Sequence, residues 1–110
     1  MVRAKSDNLQ GTLALLVLKS LEPGAMHGWG ITLHIQRISN EVLRVEEGSL
    51  YPALHRMEQG GWISSKWALT ETNRKAKFYK LTPVGRKQLQ IAEDSFEQLV
   101  KGVRAMLRYA

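Results

Sequence analysis

The stretch Gly48–Glu58, GSLYPALHRME, decides the fold of this 110-residue chain. Ser49 has the short hydroxyl side chain that caps a helix start by accepting an unpaired backbone N–H. Pro52 then falls in the first turn, where a missing N–H costs little. Leu50, Ala53, Leu54 and Met57 recur at the spacing of one helix side. Tyr51, His55, Arg56 and Gln59 fall on the other side. This second face offers donors, an aromatic ring and a cation, the equipment for reading base edges and holding phosphates. An ordinary amphipathic surface helix would show the same two faces, so the flanks have to decide. The spacing predicts a helix over Ser49–Gln59, stopped by Gly60-Gly61.

Upstream, residues 1–9 read as a flexible arm. Thr12–Leu21 is leucine-rich and apolar on most sides, as expected of a central core helix. Glu22-Pro23-Gly24 ends it. His27-Gly28-Trp29-Gly30 leads into a second helix, about Gly30–Asn40, with Ile31, Ile35 and Ile38 on one side. Val42–Val45 is a short extended linker. Downstream the period changes to two. Ile63, Ser65, Trp67 and Leu69 alternate as a strand does, Thr70–Ala76 is a polar tip, and Lys77–Leu81 is a return strand with Tyr79 and Leu81 on one face. Thr82 and Pro83 are an N-cap and a first helical residue, opening a long helix to about Leu107.

Three helices, a two-stranded hairpin and a long helix make a mainly α fold with a small β-hairpin: a winged helix-turn-helix plus a long C-terminal dimerisation helix. The division is residues 1–82 for a DNA-binding domain and residues 83–110 for the dimerisation helix.

Composition narrows the function. The formal net charge is +6, there is no cysteine, and 44% of residues are hydrophobic. A folded core is thus expected, disulfides and cysteine-ligated zinc are excluded, and a polyanionic partner is favoured, either nucleic acid or an anionic membrane surface. From Arg74 to Lys87 stand Arg74, Lys75, Lys77, Lys80, Arg86 and Lys87 with no acid among them, six cations that match the net charge of the whole chain. The polar start and the short apolar run Leu13–Leu18 give neither a signal peptide nor a membrane span, which places the protein in the cytoplasm. His27, His34 and His55 lack metal-binding spacing, no P-loop or G-x-S-x-G occurs, and Glu46-Glu47 are adjacent rather than opposed. No enzyme, metal or cofactor is expected.

Four segments carry a family resemblance: GTLALLVLKSL (Gly11–Leu21), MHGWGI (Met26–Ile31), EEGSLYPALHRMEQGGWI (Glu46–Ile63) and RKAKFYKLTPVGRKQL (Arg74–Leu89). Together they closely resemble the PadR family of bacterial transcriptional regulators, in its compact form with a single C-terminal helix. The resemblance implies a homodimeric winged helix repressor that binds a palindromic operator in double-stranded DNA. It implies a third helix in the major groove and a wing at the flanking minor groove. Members of the family control genes for phenolic acid detoxification, drug efflux and other responses.

On this reading Ser49, Tyr51, Pro52, His55 and Arg56 face the major groove. Arg56 would donate to a guanine edge or clamp a phosphate; Tyr51 would meet DNA or pack against the preceding helix; His55 would read DNA or stay solvated. Glu46 and Glu47 should turn from phosphates toward the helix N-terminus. Asn73, Arg74, Lys75 and Lys77 at the hairpin tip suit a narrow minor groove or the backbone beside it. His27, Gly28 and Gly30 form either a phosphate-binding helix N-terminus or a plain turn with a buried histidine. Trp62 and Trp67, flanking the start of the wing, are expected in the core rather than in a ligand cage. The alternative class is a winged helix used as a protein-interaction module without DNA binding, which has no need of a local cation cluster. RNA fits less well, since no aromatic platform for unstacked bases is visible.

Leu89, Ala92, Phe96, Leu99, Val103 and Met106 are spaced three and four apart, a heptad seam, and Val100 and Leu107 widen it. A helix of this length, roughly 37 Å, outruns the small domain, and a second copy is the simplest cover for its outer half. Ala92 and Phe96 sit mid-seam. They either pack the interface or admit a flat hydrophobic effector between subunits.

Overall fold

The computed structural model describes residues 4–109, with side chains from Thr12 onward. Its elements are α1 (Ala4–Leu21), β1 (Met26–His27), α2 (Gly28–Ile38), α3 (Glu47–Gln59), β2 (Ile63–Leu69), β3 (Lys75–Leu81) and α4 (Pro83–Arg108). The segment read as a flexible arm lies outside the described residues at 1–3, and from Ala4 it belongs to α1.

The winged helix order holds, with one addition. Met26 and His27 pair with Tyr79 and Phe78, so β3 lies between β1 and β2 in a three-stranded antiparallel sheet. A two-residue strand is too short to show alternation, which is why only the hairpin was legible. In this strand His27 also caps α2. Its Nδ1 accepts from the Gly30 N–H at 3.1 Å, and its ring stands edge-on to Phe78 at 5.2 Å. Helix α2 therefore starts two residues before the expected Gly30, and it ends at Ile38, with Asn40 and Glu41 at positive φ.

Helix α3 also starts earlier than Ser49. The N-cap is Glu46, whose side chain makes no capping bond, while the Ser49 and Leu50 N–H groups donate to the Glu46 carbonyl. Val45 and Leu50, both in the core, occupy the positions that flank a helix start as a hydrophobic staple. The burial of that pair, rather than a hydroxyl, fixes where the chain enters. Ser49 is consequently not the cap, and Pro52 lies inside the helix beyond its first turn. Proline there removes the bond to the carbonyl four residues back. That carbonyl belongs to Gly48, which is exposed to water.

The other end matches expectation. The Gly61 N–H donates to the Glu58 carbonyl at 3.0 Å and the Trp62 N–H to the Met57 carbonyl at 2.9 Å. Gly61 has φ +79°. These are the paired bonds and the left-handed residue of a glycine-terminated helix.

The core joins Leu13, Val17, Leu18 and Leu21 of α1 to Ile31 and Ile35 of α2. It is completed by Leu50, Ala53, Leu54 and Met57 of α3, Ile63, Tyr79 and Leu81 of the sheet, and Leu89 of α4. Each of the four helices and the β2–β3 hairpin thus contributes buried residues from the apolar face its period marks.

Thr82 fastens the C-terminal half. Its Oγ1 accepts from the Gly85 N–H at 3.0 Å, capping α4, and lies 2.6 Å from the Gly61 carbonyl oxygen and 3.0 Å from that of Trp62. Its own N–H donates to the Trp62 carbonyl at 3.1 Å. Helix α4 has 26 residues, of which only Gly85 and Leu89 are buried. In the single chain Phe96, Leu99, Val103, Met106 and Leu107 are exposed, Leu99 by 61% and Met106 by 72%. Ala92 and Val100 are half-buried.

Candidate nucleic-acid interface

Helix α3 buries Leu50, Ala53, Leu54 and Met57 and exposes Ser49, Tyr51, Pro52, His55 and Arg56. The two faces read from the sequence are the faces observed. The exposed face has two edges. Ser49, Pro52 and Arg56 border an open groove of about 580 Å³ shared with Leu13, Ala14 and Trp62, on the α1 side. Tyr51, His55 and Glu58 form the opposite edge, spaced four and three apart, toward α2 and the sheet.

Tyr51 packs against the preceding helix, one of the two readings its sequence position leaves open. Its ring crosses the start of α2, where a Cβ on Gly28 would sit 2.5 Å from the Tyr51 Oη. The ring is nevertheless 43% exposed. Glycine at position 28 is thus what lets Tyr51 lie close against α2 while keeping a free outer side. His55 and Arg56 form none of the ion pairs found among the described residues.

Glu58 ties α3 to the wing. Its Oε2 accepts from the Ser65 hydroxyl at 2.5 Å, and its Oε1 is 3.4 Å from the Lys77 Nζ. The Ser65 hydrogen bond foremost, then the Lys77 charge, hold the Glu58 carboxyl below its usual pKa against the opposing effect of burial. Lys77 also lies 5.9 Å from the Tyr79 ring centre. Burial raises the Tyr79 phenol above its ordinary pKa.

Lys77 is therefore not at the tip. It stands mid-strand opposite Trp67. The tip itself is Thr70–Arg74, closed by the Thr70 N–H to the Arg74 carbonyl at 2.8 Å and by the Arg74 N–H to Thr70 Oγ1 at 3.1 Å. Asn73 takes φ +67°, a conformation asparagine tolerates better than most residues. Asn73, Arg74 and Lys75 are all exposed. Neither Arg74 nor Lys75 has an acidic partner among the described residues.

Of the two tryptophans expected in the core, Trp62 packs against it. Trp67 does not: it is 63% exposed, and Leu69 beyond it is 62% exposed. The alternation assigned them to the right face, but the strand runs past the end of the core, and nothing among the described residues lies over its outer half. His27 is the N-cap of α2 rather than a plain turn: its own ring takes the Gly30 N–H, the third of the helix, which is thereby withdrawn from any phosphate.

Among the described residues there is no cluster of potential metal ligands, and no helix is long and apolar enough to cross a membrane. Residues 17–91 match the transcriptional regulator PadR-like family. A transcriptional regulator of Mycobacterium tuberculosis, Rv3488, is 31% identical over 94 residues, covering 86% of this chain and 84% of that one. The structure of a transcriptional regulator from Clostridium thermocellum superimposes with a TM-score of 0.84 at 26% identity, over 93% of this chain and 99% of that one. Bacillus subtilis PadR, solved in complex with operator DNA, shares the fold with a TM-score of 0.64 at 24% identity, over 72% of this chain and 44% of its own. These matches agree with the winged helix geometry described above: the chain belongs to the PadR-like family of transcriptional regulators.

Proposed function

We propose that this regulator acts in the cytoplasm as a homodimeric repressor on a palindromic operator in double-stranded DNA. Helix α3 enters the major groove with Ser49, Tyr51, Pro52, His55 and Arg56. The wing tip, with Asn73, Arg74 and Lys75, lies on the flanking backbone or minor groove, and Lys77 joins it from mid-strand. The observation that carries this is the pairing of an exposed, donor-bearing α3 face with a wing whose tip cations lack acidic partners among the described residues. Glu58 links the two through Ser65 and Lys77. The operator complex of Bacillus subtilis PadR supports the same use of this fold.

Dimerisation rests on α4. Leu89, Ala92, Phe96, Leu99, Val103 and Met106 give a seam of which the chain itself buries only the first residue and half-covers the second. Two-fold pairing along it would present two α3 helices to one face of a duplex. A flat hydrophobic effector would release the DNA from a seat between subunits at Ala92 and Phe96, where a small residue adjoins the mid-seam aromatic ring.

A mobility-shift titration at two salt concentrations tests the reading. Wild-type protein should bind tightly with a steep salt dependence, and Arg56→Ala should weaken binding at nearly unchanged thermal stability. Arg74→Ala with Lys75→Ala should weaken binding to all sequences alike, each lost phosphate contact lowering the salt slope by about one unit. Salt-insensitive indifference to DNA would instead identify a protein-interaction module.

A further inference from the structure

The wing carries an exposed apolar patch on the side of the sheet that faces α3. Directly opposed residues of an antiparallel pair point to the same side of a sheet. The register pairs Ile63 with Leu81, Ser65 with Tyr79, Trp67 with Lys77 and Leu69 with Lys75. Ile63, Leu81 and Tyr79 reach the core, and Ser65 bonds Glu58 of α3. The side bearing Trp67, Leu69, Lys75 and Lys77 is therefore the α3 side, continued outward past the last buried residue. Two large exposed apolar side chains stand there next to cations. A partly apolar, polyanionic occupant matches both: duplex DNA offers a phosphate row with the apolar faces of sugars and base steps between.

We infer that Trp67 and Leu69 form an apolar wedge that seats in the minor groove beside each half-site, between phosphates held by Arg74 and Lys75. The inference rests on the DNA-binding reading proposed above and adds residues to it. An indole against sugars or a partly unstacked step adds attraction without neutralising any phosphate. The wedge thus contributes affinity that salt does not screen. It also favours flexible pyrimidine–purine steps in the flank over stiff A-tracts.

The test uses 30-base-pair duplexes selected from a random pool by the wild-type protein. Trp67→Ala should bind them about tenfold more weakly with an unchanged salt slope, and Trp67→Phe should recover most of the loss. Lys75→Ala should instead lower the slope, by about two units if both copies make the contact. In the free protein acrylamide should quench a tryptophan emission that Trp67→Phe lacks, and added duplex should protect it.

If the wild-type protein selects no duplex, the DNA-binding reading itself fails. If it selects duplexes that Trp67→Ala binds equally well, DNA binding stands and the wedge is overturned. A change of molecular mass in Trp67→Ala by light scattering would assign the patch to a second copy of the chain and would also overturn the wedge.

Discussion

Replacing Gly28 with alanine separates the shape of the interface from the stability of the fold. Gly28 is buried at the first position of α2, with no positive φ to make alanine unwelcome. The new Cβ would lie 2.5 to 2.9 Å from Tyr51 Oη, Cε1 and Cζ, where ordinary contact begins at 3.4 Å. The ring must therefore retreat by about 0.5 to 0.9 Å, which it can do by swinging into solvent. Two effects on stability oppose each other. Alanine reduces unfolded-chain entropy and contributes about 0.4–1 kcal/mol, while the displaced ring forfeits a similar amount of packing. The net change should stay within about 1 kcal/mol, a shift in Tm of no more than about 8 °C. Binding responds differently. A hydroxyl carried from about 2.7 Å to beyond 3.2 Å from a phosphate oxygen no longer makes a useful hydrogen bond. A bond to a charged group is worth about 1.5–3 kcal/mol, so affinity should fall about tenfold or more. The assay is a double-mutant cycle of duplex affinity with Tyr51→Ala, alongside thermal melts. Gly28→Ala should weaken binding in the wild-type background and do nothing further once Tyr51 is alanine. An equal loss in both backgrounds would show that the close approach of Tyr51 to Gly28 does not position a DNA contact.

Three further outcomes are expected. Gly85→Ala would drive a Cβ onto the Trp62 carbonyl, a backbone atom already fixed by Thr82. It should cost about 3 kcal/mol and lower Tm by roughly 12 °C or more; an unchanged melt would refute the packing of α4 on the wing base. Phe96→Asp should split the dimer, and a dimeric mass for that variant in light scattering would discard the seam. Ser65→Ala should raise the Glu58 pKa toward the ordinary glutamate value of about 4.3. Because the folded-state pKa is lowered, the Glu58 contribution to stability is present above the unfolded value and fades as pH falls through the folded one. The acid side of the stability profile should therefore flatten in Ser65→Ala, and a carboxyl titration followed by NMR that matches wild type would contradict the Glu58 link.

What the sequence disclosed was whatever a period or a terminator encodes. The two faces of α3, the glycine stop at Gly60-Gly61, the Thr82–Pro83 start of α4 and the inward face of the hairpin all rest on local rules, and the structure has them. The start of α3 was misread because Ser49 and Pro52 each carry strong local preferences. Burial of Val45 and Leu50 overrode both, and that pair was the signal available. Strand β1 was invisible because its only evidence is a partner far along the chain. Trp67 was misplaced because alternation tells which side a residue takes, not whether anything lies over that side. The role of Gly28 depends on Tyr51, 23 positions later, a distance no window in the sequence spans.

One hydroxyl, that of Thr82, holds both the exit of α3 at Gly61 and the first turn of the C-terminal rod at Gly85. In a paired assembly this makes the tilt of the rods and the separation of the two α3 helices a single degree of freedom. Anything that changes how the rods cross would alter their fit to successive grooves, with no rearrangement inside either core.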